Sequence, residues 1–221
     1  MIDPARWIDI TLPIRPDMPL YPGDAAPCVR RLASLESGDP LTLSEITLGC
    51  HVGTHIDAPA HFVAGGATVD QLDRACFVGP AVVLDLTGRK VITVSDVQRL
   101  TVPPRRHILL KTDNSALLHR GGFDPAYCTL SVAAAAALLA LAPLSIGIDY
   151  YSLDPPAEAD LPAHRAVALA GRPVFVCLDL SGVSAGPFTF IGLPLPVAGV
   201  EGMPVRAFLV PYDGVDRPTS S

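Results

Sequence analysis

Charge is what this chain has least of. Only 17% of its 221 residues are charged, and its 16 lysines and arginines never gather into a run. With a formal net charge of -6, the chain offers no electrostatic footprint for a polyanion, so a nucleic-acid partner is not expected. Long apolar runs are missing too. The most hydrophobic segment, "SVAAAAALLALAPL", is ended by Pro143, short of the roughly 20 residues a membrane span requires. The opening "MIDPARWIDITLP" lacks the basic segment and apolar stretch of a secretory signal. These features predict a soluble chain with no membrane partner. Cys28, Cys50, Cys76, Cys128 and Cys177 are odd in number, scattered, and without a Cys-x-x-Cys pair. That argues against a disulfide framework or a zinc knuckle and fits small, buried thiols in a reducing cytoplasm.

What is present is apolar. A 49% hydrophobic composition over this length suffices for one sizeable core, and a single domain over residues 1–221 is expected. The runs "WIDIT", "LSEITLGC", "AVVLDL", "HILLKT", "LSIGID", "PVFVCLDL", "FTFIGL" and "VRAFLV" read as strands, most of them continuous enough to be buried on both faces. Such strands need covering helices. "SVAAAAALLALA" follows a Thr129/Ser131 capping region, "PAHRAVALAG" has Pro162 in its first turn and Gly171 past its end, and "SDVQRL" is a weaker third. The pattern is an α/β or α+β domain with a mixed sheet and few helices, lacking the regular alternation of a doubly wound fold. The tail "DRPTSS" reads as frayed.

Chemistry concentrates in "GCHVGTHIDAPAHF", residues 49–62, which holds three of the six histidines and one aspartate. The preceding run reads as a buried strand that ends at the motif, where sheets present side chains to a cleft. Gly53 and the β-branched Val52, Thr54 and Ile56 predict a single irregular turn stopped by Pro59. His51, His55 and Asp57 form an N,N,O donor set suited to Zn, Mn or Fe, with coordination positions left open for water and substrate. A lone histidine at a strand end is usually structural. Three imidazoles and a carboxylate within eleven residues weigh against that explanation here. His61, four residues beyond Asp57, has the spacing of an acid/base or supporting group. The aromatic residues Trp7, Tyr21, Phe62, Tyr150 and Tyr151 are candidate walls for a flat substrate, although each alone is more often packing.

"HVGTHIDAPAHF" resembles the His-x-Gly-Thr-His-x-Asp-x-Pro-x-His-Phe signature of the metal-dependent cyclase-like hydrolases, the family of bacterial kynurenine formamidases (arylformamidases) and isatin hydrolases. The likeness extends through "WIDITLPIRPDMPLYPGD", "LLKTDNS", "IGIDYYSLDP", "AHRAVALAG", "CLDLSG" and "LPLPVAGVEGMPVRAFL", which is nearly the whole chain. It implies a swivelling β/β/α fold, assembly as a homodimer or homotetramer, and hydrolysis of a small amide by metal-activated water with Zn or Mn. By position, it implies that His51, His55 and Asp57 hold the metal, that His61 is catalytic, and that His164 helps hold a second ion in two-metal members. There the chain departs. The glutamate those members carry twelve positions after that histidine is Val176 here, and the only glutamates are Glu36, Glu45, Glu158 and Glu201. Glu158 and Asp160 are the nearest substitutes by sequence. One divalent ion is therefore expected, with any second site weakened. The same departure supports a second reading, a metal-binding scaffold without turnover.

Overall fold

A computed structural model describes residues 3–99 and 102–211; the tail beyond lies outside the described residues. The amino-terminal part contributes β1 (Ile8–Asp9), the hairpin strands β2 (Cys28–Ala33) and β3 (Leu43–Thr47), and β4 (His55–Asp57). Next come β5 (Val78–Asp85), β6 (Val91–Ile92), α1 (Val94–Gln98), β7 (His107–Lys111) and α2 (Asn114–Leu118). The remainder is β8 (Thr129–Leu130), α3 (Val132–Leu139), β9 (Ser145–Ile148), α4 (Pro162–Leu169), β10 (Val174–Val176), β11 (Gly186–Pro194) and β12 (Gly202–Pro211).

The main sheet runs β1-β12-β11-β5-β7-β9-β10-β4, and β4 also pairs with β12. Seven strands thereby close into a ring, with β1 attached outside it. β5, β7, β9 and β10 are parallel neighbours, whereas β4, β11 and β12 run antiparallel to theirs. Strand alternation sorts the apolar runs into two cores. Leu109, Phe175, Ile56 and Phe190 fill one cluster inside the ring. Ile108, Leu110, Val174 and Val176 point the other way, against Ala134 and Leu138 of α3 and Ala163 and Val167 of α4. A mixed α/β fold with a largely buried sheet and few helices is what the apolar runs predict; the closure of the sheet through β4 and β12 is not.

The helix signals act as read. The Ser131 side chain accepts from the Ala134 N–H at the start of α3, Pro162 opens α4, and Gly171 follows it at φ +69°. All five cysteines are unpaired. One expectation fails: the run before the motif is not a buried strand. β3 pairs only with β2 in a separate two-stranded sheet, and all five of its residues are exposed. Its alternation of Leu43, Glu45 and Thr47 with Ser44 and Ile46 lacks the apolar continuity of the buried strands.

Candidate metal centre

The motif is held by a strand, not by a loose turn. After a turn at Gly53, whose φ is +64°, the chain enters β4, wedged between β10 and β12. Asp57 lies opposite Val174 on one side and Gly202 on the other, and His55 lies opposite Val176 and Pro204. Period-2 alternation then sends Ile56 into the ring and puts His55 and Asp57 on the face toward α4. Thr54 anchors the strand's start: its hydroxyl donates to the Cys177 carbonyl at 2.6 Å and accepts from the Leu12 N–H at 2.8 Å. Pro59–His61 form a single 3-10 turn that brings the His61 ring flat onto His51, with centroids 4.0 Å apart.

Donors of three residues cluster here, and His55 reaches one of them, Asp57, from beside the cluster. His51 Nδ1 is 2.8 Å from Asp57 Oδ1, and His55 Nε2 is 3.3 Å from the same oxygen. Donor atoms of His51, Asp57 and His61 lie within 4.8 Å of one another. Metal–ligand bonds of about 2.0–2.2 Å place neighbouring donors on one ion roughly 3 Å apart, so the spacing fits a divalent cation. Three of the histidines around the cleft are also held in orientation by a partner at one nitrogen. His55 Nδ1 donates to the Gly53 carbonyl at 2.7 Å, His51 Nε2 meets Glu201 Oε1 at 3.1 Å, and His164 Nδ1 meets Asp154 Oδ2 at 2.8 Å. Asp154 also accepts the Ala163 and His164 N–H groups, at 2.7 and 3.0 Å, and so caps α4 from outside it.

The electrostatics follow from burial and pairing. Burial opposes the charge on Asp57, but His55 and His51 outweigh it and hold that carboxyl well below the usual carboxylate range. At His51 burial pushes the pKa down, and hydrogen bonds to Asp57 and Glu201 more than offset this, leaving it raised. His61 stands at the solvent-facing rim, where the surrounding protein pushes its pKa below the ordinary value.

A cleft of about 250 Å³ opens over these groups, lined by His51, His55, Asp57, His61 and His164 with Tyr21, Phe62 and Tyr151. The Cyclase family profile matches residues 8–155 of the chain. The chain belongs to the cyclase family. It is similar to a solved structure described as a potential metal-dependent hydrolase with cyclase activity, at 30% identity over 92% of this chain and 96% of that one, with a TM-score of 0.80. A predicted metal-dependent hydrolase from Bacillus stearothermophilus is 28% identical over 92% of this chain and 97% of that chain, with a TM-score of 0.79. Isatin hydrolase A from Ralstonia solanacearum, at 23% identity over 92% and 91% of the two chains, shares the fold with a TM-score of 0.80.

Within this cyclase-family cleft, the expected aromatic walls divide. Tyr21, Phe62 and Tyr151 line it. Trp7 and Tyr150 do not. Trp7 packs edge-on against Phe208, with centroids 5.4 Å apart, at the far half of β12 from β4. Tyr150 is fully buried, and its hydroxyl donates to the Asp124 carbonyl and accepts the Asp124 N–H. Glu158 and Asp160 are exposed and lie outside the lining. Val176 is fully buried in the core beneath α4. Cys177, at φ +53°, turns away among Leu12, Leu118, Tyr127 and Tyr150. Sequence reasoning missed Asp24, Ser152 and Leu161 in the lining, Glu201 at His51, and Asp154 behind His164. Asp24 had a local signal: Pro22-Gly23 at the centre of a turn, closed by the Asp24 N–H on the Tyr21 carbonyl at 3.1 Å.

Proposed function

We propose that this cyclase-family member is a metal-dependent hydrolase of a small amide or related cyclic substrate, of the arylformamidase or isatin hydrolase kind, using one Zn or Mn ion. The observation carrying this reading is the cluster of His51, Asp57 and His61 donors, with His55 reaching the same Asp57 oxygen, in an aromatic-walled cleft. A divalent ion held by those three residues supplies Lewis-acid chemistry, polarising a carbonyl and lowering the pKa of a water. Tyr21, Phe62 and Tyr151 grip a flat substrate and exclude bulk water. At about 250 Å³, the cleft lies below the 300–1,000 Å³ usual for drug-sized ligands, which favours a one- or two-ring substrate. His61, neutral near pH 7 and at the rim, takes the proton of the attacking water and returns it to the departing nitrogen. His164 is fixed by Asp154 across the cleft. With Val176 in place of a second carboxylate, a second ion lacks the anionic ligands that offset repulsion between two dications. The test is hydrolysis of formyl-anilides, isatins and lactones by protein loaded with Zn or Mn. Turnover of one class with either metal supports the reading; tight metal binding without any turnover favours the scaffold alternative.

We further infer that two copies associate through the β2–β3 hairpin. Of the 15 large apolar side chains exposed among the described residues, seven lie on it or its root: Val29, Leu32, Leu35, Leu41, Leu43, Ile46 and Leu48. An isolated two-stranded sheet is marginal in water, so this one needs cover. Val29 and Ile46 are cross-strand partners, 54% and 62% exposed. Sedimentation should give a dimer for the wild type and a monomer for Val29→Glu/Ile46→Glu; a monomeric wild type would refute the association.

A further inference from the structure

We propose that Glu201 is a positioning residue for the metal centre: its carboxylate accepts the Nε2–H of His51 and thereby leaves the Nδ1 lone pair of that ring facing the ion beside Asp57. The proposal rests on the metal reading above. Its basis is a contrast among the three tethered imidazoles. His55 and His164 are each anchored at Nδ1, one by the Gly53 carbonyl and the other by Asp154. His51 is reversed. Its Nδ1 faces Asp57 at 2.8 Å, so the nitrogen left to be tied is Nε2, and the group that meets it is Glu201 Oε1 at 3.1 Å. The His51 side chain is also more open to water, 22% exposed against 5% for His55. An untethered ring there rotates between two ways of offering a nitrogen to the ion.

Glu201 is itself held to the ligand-bearing strand. Its carbonyl accepts the Ala58 N–H at 2.8 Å, one residue past Asp57, so the carboxylate and the ligands move as one unit. The next residue closes the other side. Gly202 lies so near the imidazole that a β-carbon there would sit 2.5 Å from His51 Cε1. His51 is therefore confined by the Gly202 backbone, the stacked His61 ring, and the Glu201 carboxylate at Nε2. A carboxylate on the outer nitrogen of a ligating histidine fixes the tautomer and raises the basicity of the ligating nitrogen.

The test is competition of Zn and Mn against a chromogenic chelator, with wild type, Glu201→Ala, Glu201→Gln and His51→Ala. Glu201→Ala is expected to bind metal about 10–100-fold more weakly, the usual cost of losing such a support. The metal-free variant should melt as the wild type does, since Glu201 is partly exposed. Glu201→Gln keeps an acceptor oxygen and should recover affinity to within a few-fold, a rescue that a merely structural role does not require. If the wild type binds neither metal tightly, the metal reading fails whatever Glu201 does. If the wild type binds and His51→Ala does not, wild-type affinity in Glu201→Ala overturns the positioning role. Glu201→Gln as weak as Glu201→Ala overturns it as well.

Discussion

Gly202→Ala places one methyl group against the metal centre and little else. Gly202 is not among the residues at positive φ, so alanine costs no backbone strain there. The added β-carbon would lie 2.5 Å from His51 Cε1 and 3.0 Å from both ring nitrogens. Ordinary carbon contacts begin near 3.5 Å, so the ring must retreat by about 1 Å. Ligand geometry tolerates deviations of about 0.2 Å, and the retreat also pulls Nδ1 from Asp57 and Nε2 from Glu201. We expect metal affinity to fall at least tenfold, which corresponds to about 1.4 kcal/mol. The assay is chelator competition with Zn and Mn, accompanied by calorimetric melting of the metal-free protein. Gly182→Ala, where a β-carbon meets nothing within 4 Å, is the control and should bind metal as the wild type does. A folded Gly202→Ala protein with unchanged affinity would show that His51 is not a ligand in the orientation described.

Other consequences are as direct. Val176→Glu sets a carboxylate opposite His55 on the face toward α4; calorimetric titration should show a second ion binding at least tenfold more tightly, at some cost in metal-free stability. His61→Ala should retain metal yet lose about a hundredfold or more in turnover, the range for a general acid or base; unchanged turnover on the best substrate makes His61 structural. His107, fully buried beside Phe190 and hydrogen-bonded to Ser145 at 2.7 Å, has its pKa pushed down by burial to about 4. Since the unfolded chain takes up that proton near pH 6.5 and the folded one refuses it until about pH 4, stability falls between those values by up to about 3 kcal/mol and no further below. His107→Gln should flatten the melting temperature across that window, and a slope identical to the wild type's would contradict this.

Most of the strands were legible as apolar runs read by length and by punctuation at Gly, Pro and Asp, but the closure of the sheet into a ring was not. Eight such runs supply β1, β3, β5, β7 and β9 to β12. β4 was not legible as a strand. "HID" is three residues long, two of them polar, and it is extended because β10 and β12 pair with it from either side, which no local pattern records. β2, "CVRRLA", has two arginines that mask its partner-dependent geometry. At the site, His51, His55, Asp57 and His61 stood within eleven residues and drew attention by their density, while their roles came from the family resemblance. Glu201 is 150 residues from His51 and reaches it through the β12–β4 pairing. Tyr150 and Tyr151 show how far composition goes: they are chain neighbours of one type, but one has its hydroxyl on Asp124 in the core, and the other lines the cleft with its hydroxyl on the Pro19 carbonyl.

The central claim is that one divalent ion sits on His51, His55 and Asp57. Isothermal titration of metal-free protein with Zn and with Mn tests it most directly, run on the wild type and on Asp57→Ala, which removes the oxygen shared by both histidines. The account predicts one tight ion per chain in the wild type and none in a folded Asp57→Ala protein. Two tight ions in the wild type, or one that survives Asp57→Ala, would contradict it.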